Sequence, residues 1–377
     1  MNASLDPVEL TRTLVAFNTI NPPGNERPCA EHLGKLLEDA GFSVTYLEFA
    51  DRRTSLVARI GGTTEVPPLC FTGHIDTVPL GAASWSVDPF AGEISDGKLY
   101  GRGSTDMKSG VAAFVVACLE MKEELSQGPG VVLVITAGEE TGCEGSYDMA
   151  NRGDVLGTAG AIVVAEPTHN QPLLGHKGAI WLTARTTGVT AHGSMPEKGD
   201  NAVYKAARAI SKLEDFDFNI ARDPVLGKPT LNVGVVNGGL NVNSVPDAAE
   251  VGIDVRTTVG MDHEKIHTDL SGYLGKEVSL TSFVNVGGVL TDIRNEWMQD
   301  VFDVMTDILG ERPEANTAPY FTDASALTPA YGGAPTVILG PGETAMAHQT
   351  DEYCLVDRIN QAVEAYKRIA SRWSAQS

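Results

Sequence analysis

The chain has 377 residues, 42% hydrophobic and 20% charged, which suits two or three packed domains and excludes disorder as the dominant state. Asp and Glu total 49 against 28 Lys and Arg, and a net charge of −21 excludes nucleic acid and anionic membrane as expected partners. The most apolar stretch, 110–119, is too short to span a bilayer. Residues 1–15 lack the cationic segment and apolar run of a leader, and the cysteines (Cys29, Cys70, Cys118, Cys143, Cys354) are odd in number with no metal-knuckle spacing, so a cytoplasmic protein with reduced thiols is expected.

The first half alternates helix and strand signals. Residues 7–16 read as a helix, broken by Asn21-Pro22-Pro23-Gly24. A second helix over 28–40 puts Leu33, Leu36 and Leu37 on one face and stops at Gly41. Strand-length apolar runs follow at 43–49, 55–60 and 69–72, then one long apolar helix over 108–125. The runs at 131–137 and 161–165 are continuously apolar, as in strands of a sheet covered on both faces. The middle changes character, with strands at 180–187, 230–236, 250–256 and 278–285 and helices at 201–213 and 263–274. That order is β-α-β-β-α-β, the ferredoxin-like unit. A helix over 296–309, a strand over 335–339 and a helix over 356–373 restore the first pattern. The expected architecture is an α/β domain in two parts, 1–178 and 291–377, with a ferredoxin-like domain inserted at 179–290.

Polar residues with chemical potential follow the apolar runs. His74 and Asp76 come after 69–72 and share a face at a spacing of i, i+2. They suit a metal-binding imidazole that donates its second N–H to a carboxylate, and equally a solvated pair in a loop. Asp106, in Gly101-Arg102-Gly103-Ser104-Thr105-Asp106, is either a helix cap or a carboxylate held where backbone can approach a metal. Glu139 and Glu140 follow the buried run 131–137 and read either as two solvated loop glutamates or as adjacent carboxylates that are costly there without a cation or proton between them. Glu166 follows 161–165, and His348 follows the strand at 335–339. Loops at strand ends of an open α/β sheet are the usual place for a site, and two imidazoles with three carboxylates suit two zinc-class ions sharing one carboxylate.

The segments GHIDTVP, GRGSTDMKSG, TAGEET, AEPT, HKGAIWLTARTTGVTAHGSMPEKGDNA and LGPGETAMAHQTDEY occur in this order across nearly the whole chain. Together they resemble the dinuclear zinc metallopeptidase family of acetylornithine deacetylase, succinyl-diaminopimelate desuccinylase, aminoacylase and carboxypeptidase G. The resemblance implies a zinc-exopeptidase-like α/β catalytic domain and makes the inserted domain a lid and dimerisation domain. It implies His74 and Glu166 on one metal, Glu140 and His348 on the other, Asp106 bridging them, Asp76 orienting His74, and Glu139 as general base. The metals would be two divalent ions, Zn2+ with Co2+ as a substitute, and the Asp106–Met107 peptide would be cis. The reaction implied is removal of an acyl group, acetyl or another small one, from an N-acyl amino acid by metal-activated water.

In the inserted domain, His192 reads from sequence as an ordinary loop histidine, Arg256 as a cross-strand ion-pair partner and Asn243 as a turn residue. The resemblance makes His192 an oxyanion-stabilising residue acting across a homodimer, Arg256 an anchor for a substrate carboxylate, and Asn243 a contact to the same group or to the oxyanion. His176-Lys177-Gly178 and Pro319-Tyr320-Phe321-Thr322-Asp323-Ala324 resemble the deacetylase. The desuccinylase pattern has paired arginines in place of His176-Lys177 and a Gly-Gly segment near 320–326, so the deacetylase ranks above it. Dipeptidase or carboxypeptidase activity remains the alternative on the same site, while an intact Glu139 and ligand set count against a silent binding protein. His32, His263 and His267 are expected on polar helix faces, and His169 and His176 beside the site or exposed.

Overall fold

The computed structural model describes residues 5–375. They form two compact units, one built from the chain up to His176, Val289–Ala318 and Thr322 onward, the other from Lys177–Gly288 and Pro319–Phe321. The short Pro319–Phe321 excursion was not anticipated from sequence.

The first unit is α/β, around a nine-stranded mixed sheet. The strands run in the order Ser43–Ala50, Arg53–Ile60, Val131–Thr136, Leu69–His74, Ala161–Val164, Thr336–Ile338, Leu173–His176 and Val289–Leu290, with Asn316–Ala318 also on Leu173–His176. Val131–Thr136, Leu69–His74, Ala161–Val164 and Thr336–Ile338 are mutually parallel. Every residue of these four strands is buried, which is why their sequences are unbroken apolar runs rather than alternating ones. The core joins Phe71, Leu133 and Val163 of the sheet to the apolar helix Ser109–Glu120 and to Tyr366 of Val356–Ser374. Phe71 stacks on Phe114 at 6.0 Å and meets Tyr366 edge-on at 5.4 Å. Gly110 lets that helix approach the sheet closely: a Cβ there would lie 2.1 Å from the Ala165 carbonyl oxygen, beside Glu166.

The single helix expected over 108–125 is divided. Ser104–Lys108 forms a wide turn in which Asp106 and Met107 are non-helical, and the Asp106–Met107 peptide is cis, as the resemblance implies. Helix Ser109–Glu120 follows, and the backbone leaves helical geometry at Met121 before Lys122–Leu125. The apolar pattern runs on through the break at Met121, because that position is buried too.

The second unit is an antiparallel sheet in the order Thr230–Gly238, Ala248–Thr257, Gly178–Thr187, Val278–Val286. With helices Ala202–Glu214 and His263–Leu274 it has the ferredoxin-like connectivity expected from sequence. Ile180, Leu182, Val251, Ile253 and Val255 alternate toward a core shared with Ala206, Leu213, Ile266 and Leu270. Trp181, Asp254 and Arg256, at the intervening positions, lie on the opposite face.

No helix among the described residues is long and apolar enough to cross a membrane. All five cysteines are buried and unpaired with one another.

Candidate active site

Four parallel strands deliver their C-terminal ends to one edge of the first unit's sheet, and the candidate residues are there. Leu69–His74 ends on His74, Val131–Thr136 leads into Glu139 and Glu140, Ala161–Val164 into Glu166, and Thr336–Ile338 toward the loop holding His348. Asp106 enters from the wide turn before the apolar helix.

The His74 Nε2 lies 3.2 Å from Asp106 Oδ1 and 3.8 Å from Glu166 Oε1. The His348 Nε2 lies 3.1 Å from Glu140 Oε2 and 3.3 Å from Asp106 Oδ2. The two oxygens of Asp106 thus face different imidazoles. Ligand atoms of His74, Asp106 and Glu140 all lie within 4.8 Å of one another, and so do those of His74, Glu139 and Glu166. On its other side, the His74 Nδ1 is 3.0 Å from the Asp76 carbonyl oxygen and 3.5 Å from Asp76 Oδ1. Asp76 is fully buried and accepts the Asn21 side-chain amide at 2.9 Å and the backbone N–H groups of Glu139 and Glu140 at 3.1 and 3.3 Å. One carboxylate therefore aligns the His74 ring and the turn that carries both glutamates.

The electrostatics call for positive charge. Burial pushes the carboxyls of Glu139, Glu140 and Glu166 above the usual range, and neighbouring carboxylates push further in the same direction. Burial alone would lower the His74 imidazole, yet its bonds to Asp106 and Asp76 raise it well above normal. Bonds to Asp106 and Glu140 raise His348 to about 10. Burial works against ionisation of Asp106, but bonds from His348 and His74 hold it well below the usual range. Glu140 Oε1 is buried without a hydrogen-bond partner. Imidazole nitrogens and carboxylate oxygens in this density, one oxygen still without a partner, fit two divalent ions of the zinc class.

Several neighbours escaped the sequence reading. Asp323 is buried and accepts hydroxyl bonds from Ser146 Oγ at 2.6 Å and from Thr136 Oγ1, so it clamps both flanks of the Glu139–Glu140 turn. Asn21 and Glu352 were likewise given no role. Asp323 and Glu352 lie within segments that carry the resemblance and Asn21 opens a helix break, but none of these segments shows what the residue bonds, because the partners are distant in the chain. Cys143 Sγ lies 3.8 Å from Glu139 Oε1, and burial holds its thiol well above the normal range, which suits a packing role rather than a nucleophile. His176 is fully buried in its strand rather than exposed, and His169 pairs with Glu343.

The remaining candidates belong to the second unit. His192 is exposed in the short strand Ala191–His192, and its Nδ1 accepts the Ser194 backbone N–H at 3.1 Å. Asn243 accepts the Gly193 N–H through its carbonyl at 2.7 Å, in the turn before Ser244–Val245. Arg256 pairs through Nε at 2.9 Å with Asp254, two residues back on the same strand rather than across strands as expected from the sequence. Its guanidinium lies 5.9 Å from the Phe321 ring centre, and Trp181 donates to Asp254 at 3.1 Å.

Residues 70–372 match the sequence profile of peptidase family M20/M25/M40. A probable succinyl-diaminopimelate desuccinylase of Staphylococcus aureus (strain Mu50) is 30% identical, over 97% of this chain and 98% of its own length. Among solved structures, the M20 family metallo-carboxypeptidase of Sulfolobus solfataricus shares the fold at a TM-score of 0.84 and 18% identity, covering 98% of this chain and 100% of that one. A dinuclear metal-binding peptidase from the M20 family of Bacillus subtilis shares it at 0.71 and 16%, covering 98% and 96%.

Proposed function

The chain belongs to peptidase family M20/M25/M40, and from that premise we propose that it is a dinuclear zinc hydrolase that cleaves the acyl–nitrogen bond of an N-acyl α-amino acid. The observation that carries this reading is Asp106, whose two oxygens each face an imidazole, His74 on one side and His348 on the other. His74 and Glu166 would hold one ion, Glu140 and His348 the other, with Asp106 between them and Zn2+ as the ion, replaceable by Co2+. Bound there, the ions supply the Lewis acidity that polarises an amide carbonyl and makes water a stronger acid. Glu139 takes a proton from the attacking water and returns it to the leaving amine nitrogen. Asp76 keeps the His74 ring and the Glu139 turn in register. His192 stabilises the developing oxyanion, Arg256 grips the substrate carboxylate, and Asn243 contacts one of the two groups.

The acyl group in the first reading is acetyl or another small one. Similarity over full length to a protein named as a probable desuccinylase favours a second reading, in which it is succinyl. Dipeptides are the further alternative on this scaffold. Rates of Zn2+- and Co2+-loaded enzyme on matched N-acetyl, N-succinyl and dipeptide substrates separate the three, and no cleavage of any linear amide would remove the proposal. The apo protein is expected to take up two equivalents of Zn2+ by elemental analysis. Saturation at one equivalent would deny Asp106 its shared position.

The protein is proposed to work in the cytoplasm as a homodimer through the second unit, which serves as lid and dimerisation domain. Strand Thr230–Gly238 is the edge of that sheet and exposes Val235 and Val236, with Leu240 and Val242 fully exposed just beyond. A second copy of the chain is the occupant that buries them. If His192 serves the partner's site, mixing His192→Ala with Glu139→Gln chains restores activity, because each hybrid dimer has one intact composite site. A fully active monomer at assay concentration would refute the dimer.

A further inference from the structure

The ligands Asp106 and His348 come from opposite ends of the chain, and a single carboxylate stitches their loops together. Glu352 is completely buried, four residues beyond His348. Its Oε1 accepts the backbone N–H groups of Thr105 at 2.9 Å and Asp106 at 3.1 Å. Its Oε2 accepts Arg102 Nη1 at 2.5 Å and the Gly103 N–H at 3.1 Å. The turn from Gly101 to Asp106 is not a regular helix, so its N–H groups lack the partners a helix would give them, and Glu352 provides them. Smaller stitches join the same segments. The Gly101 N–H reaches the Glu352 carbonyl at 2.9 Å, and Thr105 Oγ1 donates to the Tyr353 carbonyl at 2.7 Å. Tyr353 also pairs with Tyr100 across a small antiparallel sheet. A Cβ on Gly342 would lie 2.2 Å from the Thr105 carbonyl oxygen, so that end of the loop also approaches closely.

Resting on the reading of the cluster as a dinuclear metal site, we propose that Glu352 is a positioning residue that fixes the Asp106 backbone against the His348 loop, and so sets the affinity for the second metal ion. The shape and charge of a carboxylate are both needed. A glutamine would turn its NH2 toward one of the two donor pairs, either Thr105 and Asp106 or Arg102 and Gly103, and would leave the buried Arg102 without its anion. The turn would then shift against the His348 loop, so the ion at Glu140 and His348 would lose the fit of two ligands, Asp106 and His348, where the ion at His74 and Glu166 would lose only its share of Asp106.

Titration calorimetry of Zn2+ into the full-length apo protein reads this directly, beside thermal melts. In Glu352→Gln the second equivalent is expected to weaken at least tenfold while the first stays within about threefold of wild type. Glu352→Asp keeps the charge and shortens the reach. It covers the case in which the glutamine variant does not fold, and it should also weaken the second equivalent selectively. Tyr366→Phe deletes another buried hydrogen bond of this unit, to the Leu339 carbonyl, and should lower Tm with both Zn2+ affinities unchanged. Glu352 variants that lose only Tm and bind both equivalents like wild type would reduce Glu352 to support of the fold. Wild type that binds no Zn2+ would overturn the metal reading itself, and this role with it.

Discussion

Glu139→Gln is expected to lower kcat by about 10²–10⁴, the usual contribution of a general base, and to leave Zn2+ content unchanged. The substitution keeps the side-chain shape and the backbone N–H that Asp76 accepts, and removes only the proton acceptor. Burial is what equips this carboxyl for the task. Its proton affinity is raised first by desolvation and then by Glu166 and Glu140, so it holds a proton more readily than a solvated glutamate. Glu140→Gln makes the informative contrast. Glu140 faces His348 and has one oxygen without a partner, so its replacement should lower metal content as well as rate. Reconstituted protein with matched metal content separates the two. A Glu139→Gln rate within about tenfold of wild type would mean that another group moves the proton.

The candidate site residues of the first unit were legible for a physical reason. A buried apolar run that stops at His74, Glu139 or Glu166 announces a polar group where the chain would otherwise end a strand with a turn residue. The parallel arrangement then brings those ends to one edge. The alternation of the second unit was equally visible, since one face of its sheet packs on helices. Short elements were missed. Glu144–Ala150 has the sequence EGSYDMA, with no apolar stripe, and Ala324–Ala330 contains Pro329, so neither looks like a helix in isolation. Leu173–His176 is only four residues long. The supporting carboxylates were hidden for a different reason. Asp323 and Glu352 draw on hydroxyls, an arginine and backbone N–H groups 177 to 250 residues away, and no local pattern encodes such partners.

Arg256→Ala and Arg256→Lys should both raise KM and lower kcat/KM, by about 2–5 kcal/mol in transition-state binding where the anchored pair is desolvated. With a net charge of −21 the chain repels an anionic substrate at long range, so a local cation is needed to hold one. Asp254 engages the Arg256 Nε. That leaves the terminal guanidinium nitrogens to meet a carboxylate at two points, a geometry that lysine cannot reproduce. The Asp254 pair sharpens the test, because it offers the residue a purely structural role. Asp254 keeps the Trp181 donor when Arg256 is removed, so the fold of the sheet should survive the alanine change. An anchor predicts that wild type prefers the free acid to its α-carboxamide and that both variants lose most of this preference. A structural partner predicts a lower Tm with the preference intact. Equal cleavage of acid and amide by wild type would decide for the ion pair with Asp254 and leave the carboxylate to another group.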